Sequence, residues 1–284
     1  MKIKANAKVN LSLDVTGKRP DGYHTLESVF QSVSLCDCLT VALSDKISVT
    51  CSDNSVNGED NLCFKAAKLF FSVAELDSGA EIFIEKQIPM AGGLGGGSAD
   101  AAATLVALNE LCDKPLTQEK LLEIALSLGA DVPFCMLGGT KLCEGVGEIM
   151  TDLKGLPDCF IVIAKKGEKS STGDMYRALD SAENRRHPDT KAMIKGLKNS
   201  DLHEIFSGAY NCFESVCDTN ALNEAREVAE NYDAIYCGLS GAGPTVVLIF
   251  DLQSQAKKTA DVLSEKKFFT YIAKPSEKGV QIIE

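Results

Sequence analysis

Residues 89 to 103 read PMAGGLGGGSADAAA: a proline, then five glycines in the six positions from Gly92 to Gly97, then a run of small helix-forming residues. Glycine loses more conformational freedom on folding than any other residue, so packing alone gives little reason to place five together. Bare backbone does suit one chemistry. Successive N–H groups leading into a helix N-terminus form a cradle for an anion, above all a phosphate. Three common glycine loops can be tested. A P-loop needs Lys-Ser/Thr after its last glycine, whereas Gly97 is followed by Ser98 and Ala99. The dinucleotide fingerprint G-x-G-x-x-G, begun at Gly93, fails at Ser98. Protein kinases are excluded because the chain has neither HRD nor DFG. A phosphate cradle of another type remains.

Such a loop has to be held between regular elements. AEIFIEK, residues 80–86, reads as a strand that delivers the chain into it. Beyond it Ala102, Leu105, Val106, Asn109 and Cys112 recur at helical spacing, which predicts a helix from near Ser98 to about Cys112. Near the start of the chain Ile3, Ala5, Ala7, Val9, Leu11, Leu13 and Val15 alternate with Lys4, Asn6, Lys8, Asn10, Ser12 and Asp14. Period two is the strand signature, and it sets Lys8 and Asn10 side by side on the polar face. RPDGYH then supplies a turn centred on Asp21-Gly22. Further strand-like segments follow over 26–51, with helices over 60–76 and 117–128, and GADVPFC opens another helix with Pro133 in its first turn. From about 151 a second set begins: a strand in CFIVIAK, a helical stretch over 174–231, strands in DAIYCGLS and TVVLIF, a helix over 252–264 and a strand in FFTYIAK. The fold class is thus α+β, with domains expected at 1–150 and 151–284, the second carrying helices on one face of a mainly antiparallel sheet.

Composition narrows the class of protein. The 284 residues are 45% hydrophobic and 24% charged, ordinary values for a globular chain. A net charge of -11 argues against nucleic acid as a partner, since that binding rests on Lys and Arg contacts to phosphate. No stretch reaches the ~20 apolar residues of a membrane span, and no signal peptide is legible. Eleven scattered cysteines, several inside apolar runs, fit buried thiols in a reducing compartment, so a cytoplasmic location is expected. The chain lacks a CxxC pair, and His24, His187 and His203 lie far apart, so no protein metal site is expected.

The glycine stretch resembles the phosphate loop of the GHMP kinases, small-molecule kinases whose loop usually reads P-x-x-x-G-L-G-S-S-A. The triple-glycine form is similar to the branch of that family that acts on a cytidine-diphosphate-linked methylerythritol. AKVNLSLDVTGKRPDGYHTLESVFQSV, LGADVPFC followed by GGTKLCEGVGE, and GLSGAGPTVV agree with that branch, in order over nearly the whole chain. The resemblance implies a ribosomal-protein-S5-domain-2-like N-terminal unit and a ferredoxin-like C-terminal unit, with the active site in the cleft between them. It also implies ATP and Mg²⁺ as cofactors and transfer of the γ-phosphoryl to the tertiary 2-hydroxyl of the methylerythritol unit. A small-molecule substrate and a monomer or weak homodimer are expected. Another GHMP kinase acting on a sugar or mevalonate derivative is the nearest alternative, and a non-catalytic ligand sensor on the same fold a more distant one.

The resemblance assigns roles residue by residue. Lys8, in AKVNL, and Asp131, in GADVPF, become the catalytic pair, although Asp131 also suits a helix cap. A carboxylate alone is a feeble base toward an alcohol; Lys8 beside it would stabilise the developing alkoxide. Pro89, Gly92, Gly93, Leu94, Gly95, Gly96, Gly97 and Ser98 form the ATP loop, and Asn61 is either a nucleotide contact or a helix cap. Several relatives hold Mg²⁺ through a loop serine and a helical glutamate; here Gly96 replaces the first loop serine and leaves Ser98 as the substitute. For the substrate the resemblance points to Asn10, Tyr23 stacking on cytosine, His24 at its polar edge, and Tyr176 as a second wall facing Tyr23. Gly241 and Gly243 either close over the substrate or simply turn a hairpin.

Overall fold

The computed structural model describes all residues except 54–55, 169–170 and 183–184. The chain begins with a long antiparallel hairpin, β1 (Lys2–Lys18) and β2 (His24–Ser44), followed by β3 (Ser48–Cys51), α1 (Leu62–Val73) and β4 (Gly79–Glu85). Next come α2 (Gly96–Leu111), α3 (Gln118–Leu128), α4 (Asp131–Leu137), β5 (Thr140–Gly145) and β6 (Ile149–Asp152). These strands form one sheet in the order β1-β2-β4-β3, with β5 and β6 branching from the far half of β2. The fully buried row Ile3, Ala5, Ala7, Val9 and Leu11 faces the helices. Among them α2 packs on both β1 and β2 and also meets α1, α3 and α4. Its alanines, Ala99, Ala101, Ala102, Ala103 and Ala107, are wholly buried, and their small size permits that close approach on several sides.

The polar face of β1 is buried as well: Asn6, Lys8, Asn10 and Ser12 are all inaccessible. The register to β2 shifts between Asn6 and Lys8 and again between Asn10 and Ser12, so Lys8 and Asn10 are bracketed by irregularities. Such bulges re-aim side chains and release backbone groups from the ladder. Here the Lys8 N–H donates to the carbonyl of Leu94 in the glycine loop, at 3.0 Å.

The second half contributes β7 (Phe160–Lys165), α5 (Thr172–Asp180), α6 (Thr190–Asn199), α7 (Leu202–Phe206), α8 (Asn220–Glu230), β8 (Tyr236–Leu239), β9 (Thr245–Phe250), α9 (Gln253–Glu265) and β10 (Phe269–Ala273). Its four-stranded sheet runs β10-β7-β9-β8, antiparallel throughout. The expectation of helices on one face holds for α8 and α9, which cover Val162, Ala164, Val246, Leu248 and Phe250. The opposite face is buried too, Ile161, Ile163, Val247 and Ile249 clustering with Met193, Leu197, Ile205 and Phe206 of α6 and α7. The unbroken apolar runs of β7 and β9 follow from that double burial. Finally β11 (Pro275–Ser276) and β12 (Val280–Ile282) return to the first sheet, pairing with β2 and β1. Among the described residues no helix is long and apolar enough to cross a membrane.

Candidate active site

The glycine loop runs from the end of β4 into α2. Gly93 (φ +76°) and Gly95 (φ +70°) occupy the left-handed region, which a side chain disfavours by ~1–2 kcal/mol. Gly95 is the residue before α2, and the first helical N–H groups, from Gly96 onward, have no partner one turn back. They open onto a cavity of about 450 Å³ whose wall includes Asn61, Pro89, Gly92 to Ser98, and Asp131. The structure therefore brings together every residue assigned to the ATP loop. Helix α2 starts at Gly96 rather than near Ser98, so the last two glycines of the run belong to the helix and bare its first turn. Asn61 caps α1, its Oδ1 accepting from the Cys63 N–H at 2.8 Å and its Nδ2 donating to the Val56 carbonyl at 2.7 Å, while it also lines the cavity.

Lys8 lies under the loop. Its Nζ is 3.5 Å from Asp131 Oδ2, donates to Asn10 Oδ1 at 3.0 Å and sits 4.5 Å from the centroid of the Phe30 ring. Asp131 is the first residue of α4, its carboxylate about one-third exposed and turned to Lys8. Asn10 is fully enclosed. Its Oδ1 accepts from Lys8 and from the Gly241 N–H at 2.9 Å, and its Nδ2 donates to Ser28 Oγ at 2.9 Å. Asn10 thus aims Lys8 and ties it to the segment between β8 and β9. Ser240 completes that tie, donating to the Gly93 carbonyl at 3.3 Å and accepting from the Asn10 N–H at 3.2 Å. Gly241 belongs to this contact, whereas Gly243 lines a separate small cavity with Lys166 and Pro244.

Tyr23, His24 and Tyr176 line another cavity, of about 470 Å³, between the β1–β2 turn and α5. Of the two expected walls, Tyr23 and Tyr176, the second has a further ring against it. Tyr176 stacks directly on His24, centroids 4.5 Å apart and planes 14° from parallel, and its ring also meets the Phe213 edge. No base fits between rings that close. Tyr23 is 68% exposed at the rim. Burial pushes the Tyr176 hydroxyl up to about 12, so it stays protonated. His24 Nε2 is 2.6 Å from Asp180 Oδ1, and Lys18 Nζ holds the other carboxylate oxygen at 2.7 Å. The hydrogen bond from Lys18, then that from His24, lowers the Asp180 pKa. Asp180 escapes sequence reasoning because only the fold carries the end of α5 to the β1–β2 turn. Asp37, Lys86 and Asp100, beneath the glycine loop, escape it too. Their signal is an aspartate inside an apolar strand and another inside an alanine helix.

At the start of α4 Asp131 lines the first cavity and its chain neighbour Ala130 the second. A glycine-loop cradle for phosphate, with a carboxylate in its wall paired to an ammonium, together with a second, aromatic-lined pocket, suits a small-molecule kinase. Family models agree: that of the GHMP kinases N terminal domain matches residues 61–139, and that of the GHMP kinases C terminal matches residues 193–268. The chain is 39% identical, over an alignment of 287 residues, to 4-diphosphocytidyl-2-C-methyl-D-erythritol kinase of Thermoanaerobacter pseudethanolicus, covering 100% of this chain and 99% of that protein. It is likewise 39% identical over 262 residues to the Clostridium acetobutylicum protein of the same name, covering 91% and 94%. A crystal structure of 4-(cytidine 5'-diphospho)-2C-methyl-D-erythritol kinase superposes with a TM-score of 0.83 at 30% identity, over 97% of this chain and 99% of that one. Homoserine kinase of Cytophaga hutchinsonii, at 19% identity and TM-score 0.80 over 100% and 97% of the two chains, shares the fold. The chain belongs to the GHMP kinases and, within them, to the 4-diphosphocytidyl-2-C-methyl-D-erythritol kinase family.

Proposed function

We propose that the chain transfers the γ-phosphoryl of ATP to the 2-hydroxyl of 4-diphosphocytidyl-2-C-methyl-D-erythritol, in the non-mevalonate route to isoprenoid precursors. The observation that carries this reading is the pairing of Lys8 Nζ, at 3.5 Å, with the Asp131 carboxylate in the wall of the glycine-loop cavity, while Ala130 beside it in the chain lines the second cavity. ATP occupies the first cavity with its phosphates on the loop N–H groups. The acceptor lies in the second and presents its hydroxyl to Asp131. As the hydroxyl oxygen bonds to the γ-phosphorus, its proton passes to the Asp131 carboxylate and the bond to the β-phosphate oxygen breaks, releasing ADP. Lys8 stabilises the charge growing on the attacking oxygen. Phosphoryl transfer asks a protein mainly for this positioning and charge stabilisation.

Magnesium would enter with the nucleotide. Among the described residues no group of three or more His, Cys, Asp or Glu side chains is arranged to hold a metal ion, so the phosphates and water would supply most of its ligands, with Ser98 as the loop hydroxyl at hand. The ion would neutralise charge on the transferred phosphoryl. We assign residues 1–150 to the nucleotide-binding domain and 151–284 to the second domain, whose last strands cross back. Eleven free cysteines, with burial pushing Cys143 up to about 12, suit a reducing cytoplasm.

A coupled ADP-release assay tests the reaction across the cytidylated substrate, free methylerythritol and mevalonate. Turnover restricted to the first supports the reading, and preference for either of the others replaces it with another kinase of the family. Cytosine is placed against the His24–Tyr176 stack with Tyr23 closing over it. Because base–aromatic stacking contributes ~1–3 kcal/mol per base, Tyr176→Ala is expected to weaken substrate binding by roughly 5- to 150-fold. Tyr176→Phe keeps the ring and should bind almost normally. Unchanged affinity in a folded alanine variant, measured by titration with the cytidylated substrate, would take Tyr176 out of the pocket.

A further inference from the structure

Beneath the glycine loop lies a charged cluster that the mechanism does not use. Asp37 of β2 is wholly buried; its Oδ1 accepts the N–H groups of Gln87 (2.6 Å) and Ile88 (2.8 Å), and its Oδ2 takes Lys86 Nζ at 2.5 Å. Lys86 also reaches Asp100 Oδ2 at 2.8 Å, and a Cβ on Gly96 would stand 3.4 Å from its Nζ. Asp100, one turn into α2, is 4% exposed, lines the cavity, and has no hydrogen-bond partner on Oδ1. Two carboxylates against one ammonium leave one negative charge uncompensated. It stands in the wall of a cavity that, on the reading above, receives a triphosphate.

A buried charge without a full set of partners is unfavourable, and incoming phosphate charge makes it more so. A proton relieves both. Asp37 accepts two N–H groups and the ammonium and is poorly placed to take it, whereas among the described residues the donor to the Asp100 carboxylate is Lys86, with the Asp37 carboxylate close by. The titratable groups facing Asp100 from the other elements are Cys63 of α1, Cys51 of β3 and Cys135 of α4, thiols that burial raises and keeps neutral. Lys8 and Asp131 form their own pair at the cavity. Burial, only partly offset by Lys86 and reinforced by the neighbouring Asp37 carboxylate, pushes Asp100 up to about 8. Burial opposes the charge of Lys86, but Asp100 and Asp37 outweigh it and hold Lys86 at about 12.

We propose that Asp100 is a positioning residue that, at alkaline pH where it is ionised in the free protein, takes up a proton from solvent as the triphosphate enters the loop. The neutral carboxyl keeps its hydrogen bond to Lys86 and leaves the ammonium charge to act on the phosphates. Binding that takes up a proton weakens as pH rises, here above about 8, by up to about tenfold per pH unit until the value in the complex is passed. The test is calorimetry of β,γ-imido-ATP binding in buffers of different protonation enthalpy, at pH values from about 7 to about 9. The wild-type protein should take up a substantial fraction of one proton at the alkaline end, and folded Asp100→Asn should take up none and lose that pH dependence. A role in packing alone would not move the proton count. Binding without proton uptake in the wild type, or uptake unchanged in folded Asp100→Asn, overturns the inference while leaving the nucleotide site standing. Absence of nucleotide binding overturns both. If the variant does not fold, an infrared difference spectrum of the wild type on nucleotide addition decides, and no new protonated-carboxyl band sinks the proposal.

Discussion

Asp131→Asn is expected to lower turnover by ~10²- to 10⁴-fold while nucleotide binding survives. The amide keeps the shape of the side chain but cannot accept the hydroxyl proton, and it withdraws the negative charge that faces Lys8 at 3.5 Å. Asp131 lines the glycine-loop cavity and is not the residue that caps α4, which is preceded by Ala130. The loss should therefore fall on the chemical step and not on folding. Single-turnover rates with saturating substrates, alongside a nucleotide titration, measure the two separately; near-normal turnover would remove Asp131 from the base role. Lys8→Ala should likewise reduce kcat more than it raises KM, and a change in KM alone would make Lys8 a binding residue.

Gly93→Ala carries the other large expected effect. The left-handed backbone of Gly93 costs any side chain ~1–2 kcal/mol, and a Cβ there would stand 2.5 Å from the carbonyl oxygen of Ser240. Backbone on both sides of the clash leaves no flexible group to yield. The loop has to part from the segment between β8 and β9, breaking the Ser240–Gly93 hydrogen bond and disturbing Asn10, which aims Lys8. A fall in kcat/KM of roughly 10²-fold or more is expected, of which the backbone term alone supplies about tenfold. The same logic applies to Gly95→Val, where a Cβ would lie 3.0 Å from the Lys8 side chain and the added bulk would project beside the phosphates. Nucleotide affinity of the folded variants checks both, and wild-type affinity would mean that the phosphates bind elsewhere.

What the sequence discloses and what it withholds divide along physical lines. Alternation over residues 3–15 makes β1 legible and pairs Lys8 with Asn10, because period two is a local property. It does not disclose that both faces are buried, since that depends on the glycine loop and the β8–β9 segment lying across the polar side. Helix α1 shortens from the expected 60–76 to Leu62–Val73 because the Asn61 side chain caps it. Helix α2 begins two residues early because glycine propensity conceals a first turn that has to be bare. The loop, Lys8 and Asp131 are found through motif resemblance, and their proximity is a result of folding. The partners Asp180 and Ser240, and the stack of Tyr176 on His24, join residues far apart in the chain, with no periodicity to betray them.

The return of β11 and β12 to the first sheet has a mechanical consequence. The chain passes between the two sheets once over residues 153–159 and again at Lys274, and these crossings lie together, with Lys274 Nζ 2.5 Å from Asp158 and 3.6 Å from the centroid of the Phe160 ring. There the Ser34 N–H also donates to the Lys274 carbonyl and the Lys274 N–H to Ser34 Oγ, both at 2.9 Å. The halves are thus strapped at one place by two lengths of chain and joined elsewhere by the Gly93–Ser240 and Asn10–Gly241 hydrogen bonds, by the Leu13 N–H donating to the Tyr210 carbonyl, by Lys18 and His24 on Asp180, and by Leu13 and Val15 packed with Met175, Leu179 and Phe213. Parting the halves would have to open that apolar contact and those ion pairs as well as the hydrogen bonds beside the glycine loop. Since Asn10 Oδ1 holds Lys8 and the Gly241 N–H at once, closing the halves there and aiming the lysine are a single motion.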